Sequence, residues 1–313
     1  MTGRAKVIRQ NKKIIRKQIY EYRWVYVLGM PGLVLLLLFS YLPMRGLIMA
    51  FQDYNPHLGI LGSPFVGLRH FKTLFQDPKF YNMLKNTLII SGLSLLTFPA
   101  PIILALILNE VRNAKFKKFI QTSIYLPHFL SWAIVASLTF FLLSTEQGFI
   151  NKLALYMGDK TTAYLFSKKW IYLIIVLQSL WKGLGWGSIV YLAAISGVDQ
   201  SLYEAAKMDG ANRFQCMGKI TLPSIMPTIA VMLILKMGSI ISVDFEQVFL
   251  MNNAMVKSQL EVFEIYIFNN GIATGSTQYS YTTAIGMFKS VINTALVIFT
   301  NWITNRKGYE GVM

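Results

Sequence analysis

Apolar residues run almost unbroken through six stretches of the chain, 24–51, 83–109, 120–143, 170–195, 222–250 and 283–303. Each stretch exceeds the roughly 20 residues that a helix needs to cross a bilayer's hydrocarbon core. The pattern predicts an all-α, polytopic membrane protein with six transmembrane helices and both termini on one side. The first run is too long for a signal peptide and ends in no small-residue cleavage site. Between the runs, Phe65, Leu68, Phe71, Leu74 and Phe75 fall near one helical stripe. That spacing predicts a helix lying on the outer membrane surface, with its apolar face as a bilayer anchor. Residues 148–158 read as a second short, packed helix.

Composition agrees with the pattern. Hydrophobic residues make up 54% of the 313, charged residues only 14%, and the mean hydropathy is +0.46. A soluble domain carries about 25% charged residues. The net charge of +16 raises nucleic acid as a partner, but the basic residues flank apolar runs instead of covering a polar surface. With a cytoplasmic N-terminus, the inside segments hold 17 Lys and Arg and the outside loops 8. The positive-inside rule therefore puts both termini in the cytoplasm. This divides the chain into a basic N-terminal segment, 1–23, a six-helix membrane domain, 24–303, and a cytoplasmic tail, 304–313. The N-terminal run reads as an anchor near anionic lipid, with nucleic-acid binding as the sharper alternative.

Catalytic chemistry is hard to find. Cys216 is the single cysteine and can form no disulfide within the chain. His57, His70 and His128 are too scattered for a metal motif. No phosphate-binding loop occurs, and the glycines of 183–187 lack dinucleotide-loop spacing. The residues predict no catalytic site, metal or cofactor, and no enzyme.

One polar segment, 196–221, separates the fourth and fifth apolar runs. Ser201 and Glu204 have the spacing of a capping box, and Gly210 falls where a left-handed residue would end a short helix. Pro223 fits the first turn of the next helix, where its missing N–H needs no partner. From Glu204 the pattern reads E-A-A, three residues, G, nine residues, I-x-L-P, which is Glu204, Ala205, Ala206, Gly210, Ile220, Leu222 and Pro223. This spacing resembles the EAA signature of the membrane subunits of bacterial ABC importers that depend on a binding protein. The extended stretch YEAAKMDGANRF…ITLPSIMPT is similar to the carbohydrate, maltose-type branch. Two further stretches, FSYLPMRGLIMAFQDYNPHLGILGSPFVGLRHF and EVFEIYIFNNGI…YSYTTAIGMF, are similar to its polysaccharide-type permeases.

The resemblance implies a permease subunit in a bacterial cell membrane that moves an oligosaccharide or modified sugar inward by alternating access. It implies that the seven motif residues form a coupling helix docked on a cytoplasmic ATPase. The implied partners are a second homologous permease, two ATPase subunits that bind ATP and Mg, and an external lipid-anchored solute-binding protein. A permease for peptides or amino acids stays open as an alternative. So does an ion-coupled secondary transporter working through Lys236, Asp244 and Glu246.

Ionisable residues within membrane spans are costly and mark either pathways or structural ion pairs. Lys182, Lys236, Asp244, Glu246 and Lys289 are such residues, and both readings stand for each. Lys236, Ile240 and Asp244 would share one face of a continuous helix, with Glu246 about 200° from Asp244. In the fourth run, Gln178, Trp181, Lys182 and Trp186 accompany three glycines at every second position, Gly183 to Gly187. A softened, cavity-lining helix with aromatic plates for a sugar is one expectation, with Trp181 and Lys182 reaching the same cavity. Close packing through small residues is the other.

Overall fold

The computed structural model describes residues 20–273 and 278–306, together with Gln18 and Gly308. Most of the basic segment 1–23 and of the tail 304–313 lies outside the described residues. Helices dominate, and among the described residues the isolated β pairing is one antiparallel bridge, Gln52 to Phe65. Contacts divide the chain after Gly67 into two compact units.

The first unit is built on α1 (Arg23–Leu36), which runs on through a π turn, Leu37–Tyr41, and a 3-10 segment, Leu42–Phe51. The 29-residue run is long and apolar enough to span a membrane. No residue of α1 is buried, and a helix apolar on all sides suits lipid. After it the chain doubles back. Gln52 Nε2 donates to the carbonyls of Ile60 (2.9 Å) and Ser63 (3.3 Å), and the rings of Phe51 and Phe65 stack at 6.4 Å.

The second unit starts with α2 (Arg69–Gln76), α3 (Pro78–Leu96) and α4 (Pro99–Glu110). Then come α5 (Ala114–Tyr125), α6 (Trp132–Leu143) and α7 (Phe149–Tyr156). The long α8 (Ile171–Ser196) leads into the short α9 (Gln200–Met208) and α10 (Arg213–Cys216). The unit ends with α11 (Met226–Met237), α12 (Phe245–Met251), α13 (Phe263–Phe268) and α14 (Tyr279–Arg306). α8 is the central element and packs on α3, α4, α5 and α11, while α14 packs on α2, α11 and α13.

Among the described residues, four helical runs are long and apolar enough to span a membrane, and counting each of two bent pairs as one span brings the total to six. The bends correct the expectation of plain third and fifth spans. In the third, Leu130 and Ser131 are extended and the chain turns through 104°. Pro127 ends the preceding helix, and Ser131 restarts the next by accepting the Ile134 N–H. In the fifth, a 59° bend falls at Ile225, and helical structure stops again from Gly238 to Asp244. Lys236, Ile240 and Asp244 therefore do not share a helix face.

The fourth span departs from expectation in the other direction, since α8 is unbroken across its glycines. A Cβ at Gly185 would lie 2.3 Å from the Ile124 carbonyl oxygen, so this glycine permits close packing on α5. A Cβ at Gly183 would meet nothing within 4 Å. Gly185→Ala is expected to cost about 1–3 kcal/mol through overpacking, while Gly183→Ala keeps or raises stability because alanine favours helix. Thermal melting of the two purified variants checks this, and equal melting temperatures would contradict it.

The amphipathic stripe is only partly a surface feature. Leu74 is fully buried, and Phe75 meets Phe80 and Phe288 edge-on at 5.6 and 5.8 Å. That side of α2 packs on α3 and α14, which corrects the bilayer-anchor expectation there. Residues 148–158 do contain a helix, α7, and its Asn151 is buried with bonds to Ser144 and Thr162.

Candidate translocation cavity and coupling loop

The breaks that interrupt the third and fifth spans open a cavity beside α8. Its volume is about 320 Å³. Hydroxyls line it from three sides: Ser91 and Ser94 on α3, Ser179 on α8, and Ser239 and Ser242 on the 238–244 break. Gln247 of α12 and the indole of Trp132 complete the polar and aromatic wall, with Lys182, Lys236 and Asp244 as its charges. A second chamber of about 270 Å³ adjoins it and is lined mainly by Phe98, Pro101, Leu180, Leu184, Met232 and Leu235. Ser94, Ser179, Gly183 and Lys236 belong to both walls.

The three charges are held differently. Lys182 Nζ donates to the carbonyls of His128 (2.8 Å) and Leu130 (2.5 Å) and lies 5.4 Å from the Trp132 ring centre. It thereby satisfies backbone groups that the third-span break leaves free. Lys236 Nζ contacts the Ser94 hydroxyl at 3.1 Å. Asp244 caps α12 by accepting the Gln247 N–H at 3.3 Å.

Other residues expected beside the path lie elsewhere. Gln178 is buried behind the wall, where it donates to Thr139 (2.6 Å) and accepts from Gln247 (3.0 Å). It ties α6, α8 and α12 together. Trp181 is 45% exposed and outside the cavity lining, so it does not share the cavity with Lys182. Trp186 stacks on His128 at 4.4 Å between ring centres, also away from the lining. Glu246 is exposed in the first turn of α12, where the helix dipole favours an acid. Lys289 pairs with Glu264 of α13 and does not reach the cavity. Sequence reasoning missed His128, Trp132, the serines and Gln247, because single polar residues in apolar runs do not announce which face they occupy.

The loop after α8 keeps its motif but not the expected start. Asp199, not Ser201, caps α9, and its carboxylate accepts the Ser201 backbone N–H at 2.9 Å. That bond holds the Asp199 carboxyl below the usual carboxylate range, so the cap is present at neutral pH and lost on acidification. The helix starts two residues early because aspartate caps well and leaves Ser201 inside the first turn. A capping box does form, at Asn212 and Gln215 of α10. Gly210 has φ +79°, with Gly210 N–H donating to Lys207 and Ala211 N–H to Ala206. These are the two bonds of a Schellman motif, in which Ala206 of the E-A-A triplet supplies the earlier carbonyl. Glu204 and Ala205 are exposed on α9. Leu222 and Pro223 form a short turn, Leu222–Ser224, that follows Ile220 and precedes the 59° bend. Tyr203 Oη lies 2.9 Å from Thr221 Oγ1, joining α9 to the base of the fifth span.

Residues 97–309 match the family of binding-protein-dependent transport system inner membrane components. The chain belongs to this family. It is a membrane transport subunit and not an enzyme. The permease is 46% identical over 305 residues to the polygalacturonan/rhamnogalacturonan transport system permease protein YteP of Bacillus subtilis (strain 168), covering 97% of this chain and 94% of that one. It is 48% identical over 291 residues to protein LplB of the same organism, covering 93% and 91%. Among solved structures it matches a chain of the bacterial alginate ABC transporter in complex with alginate pentasaccharide-bound periplasmic protein. The TM-score there is 0.85 at 40% identity, over 95% of this permease and 99% of that chain. The family membership, with up to six spans, places the permease in the inner membrane. It also sets aside the ion-coupled secondary transporter.

Proposed function

We propose that this permease carries an oligosaccharide through the cavity beside α8 and takes its drive through α9. The observation that carries the reading is the chamber wall, in which five serines, Gln247 and the Trp132 indole surround about 320 Å³. Sugars present ring hydroxyls and apolar C–H faces, and such a wall offers exchangeable hydrogen bonds and an aromatic plate. The relatives' names, a polygalacturonan/rhamnogalacturonan permease and an alginate transporter, support a saccharide cargo.

The coupling proposal rests on α9. Nine residues make a rod about 13 Å long, capped at both ends by Asp199 and the Gly210 motif. Glu204, Ala205, Ala206, Gly210, Ile220, Leu222 and Pro223 shape the loop that an ATPase subunit would grip. Two such ATPases, carrying ATP and Mg, a second homologous permease and an external lipid-anchored binding protein complete the machine. The loop and both termini then face the cytoplasm, in keeping with the distribution of Lys and Arg. Opening and closing of the ATPase pair would rock the spans for alternating access.

Reconstitution tests this reading. The permease with its partner permease, the ATPases and the binding protein should accumulate a labelled oligosaccharide in proteoliposomes only when ATP is supplied. Uptake driven by an ion gradient without ATP, or failure to move any saccharide bound by the binding protein, would overturn it.

A further inference from the structure

We propose that Lys236 is a carboxylate-reading site and that the cargo is an acidic, uronate-bearing oligosaccharide. This deepens the oligosaccharide reading above and rests on it. An ammonium within a membrane span is costly unless its charge is answered, and the two cavity lysines differ in how that is done. Lys182 is spent on the fold, with two backbone carbonyls and an indole face around its ammonium. Lys236 has one neutral hydroxyl, Ser94. No carboxylate lies within ion-pair reach of it among the described residues, where the side-chain ion pair is Lys289 with Glu264. A lysine ammonium has three donors, so Lys236 keeps donors and a net charge for something absent from the fold.

Position says what that partner is. Lys236 stands at the junction of the polar and the apolar chamber and lines both. A sugar passing from one chamber to the other must pass its ammonium. A ring seated beside the exposed hydroxyls of Ser239 and Ser242 would present a carboxylate to Lys236 and gain a charge-assisted bond, stronger than a neutral one. Asp244, on the same wall as the serines, repels an anion that lingers there, so the attraction is focused at the junction. Inorganic anions would answer the charge but leave the hydroxyl wall unused.

The test uses the whole complex in proteoliposomes with ATP inside the reaction. Uptake of trigalacturonate is compared with that of its methyl ester, each at a concentration that saturates the binding protein. The wild type should favour the acid. In Lys236→Gln, which keeps a polar side chain but no charge, the acid-to-ester uptake ratio should fall at least about ten-fold, and in Lys236→Arg it should stay within about three-fold. An unchanged ratio in Lys236→Gln would overturn the site. So would a wild type that moves the ester as fast as the acid, a result that needs no variant to fold. If the wild type moves neither, nor any other saccharide held by the binding protein, the oligosaccharide reading itself falls and this inference with it.

Discussion

Gly210→Pro will abolish ATP-driven transport while the permease still enters the membrane with its partners. The glycine sits at φ +79°, and proline is locked near −65°. The substitution also removes the N–H that donates to the Lys207 carbonyl. Both bonds of the Schellman motif depend on that left-handed residue, so α9 would lose its fixed end and the segment to α10 its direction. Gly210→Ala is milder, since a left-handed alanine costs about 1–2 kcal/mol, and should leave measurable transport. Glu204→Lys reverses an exposed charge on α9 and tests the docking face without touching the backbone. The readout is ATP hydrolysis stimulated by the loaded binding protein, with co-purification of all subunits as the assembly control. Stimulated hydrolysis at the wild-type level in Gly210→Pro would remove the coupling role from this loop.

The second large effect is on stability. Lys289→Met will destabilise the permease by about 3–5 kcal/mol, because it strands a buried carboxylate. The Lys289 and Glu264 side chains are 12% and 14% exposed. Glu264 Oε1 also accepts the Val243 N–H at 3.3 Å, and Oε2 has no hydrogen-bond partner. One carboxylate therefore joins α13, α14 and the 238–244 break that walls the cavity. Adding Glu264→Gln should recover most of the loss, since glutamine keeps an acceptor for Val243 but carries no charge. Melting of the purified complexes separates the cases, with a drop on the order of 10 °C for the single variant. A Lys289→Met complex that melts with the wild type would show that the pair does not hold this corner.

The hydrophobic runs were legible because a bilayer demands length and little else. The path of the chain within them was not. Hydropathy counts Leu130 and Ile240 as span residues whether they are helical or extended, and both lie in breaks. The local signals were present in Pro127, Ser131, Gly238 and Asp244, but each is common within membrane helices. In the fourth run the opposite error arose. Glycines that looked like softening permit α5 to approach at Gly185. Gly210 was legible as a helix end because a positive φ has few other tenants. The cap at Asp199 was missed because Ser201 and Glu204 satisfied the same pattern. The periodicity of Lys236, Ile240 and Asp244 suggested a shared face, and all three do line the cavity, yet the break brings them there. The partner of Lys289 was out of reach of any local rule, since Glu264 stands 25 residues away on a separate helix.

The bond between Tyr203 and Thr221 makes the loop a bracket instead of a tether. Thr221 is buried at the foot of the fifth span, just before the bend at Ile225. Under the proposed coupling, a push on α9 would reach that foot directly as well as through the twelve intervening residues from 209 to 220. A slack strap delivers only tension, whereas a braced corner also delivers torque, with Ile225 as the fulcrum. The fifth span would then turn about its bend when the ATPases close, and the cavity wall just beyond α11 would be the far end of the lever.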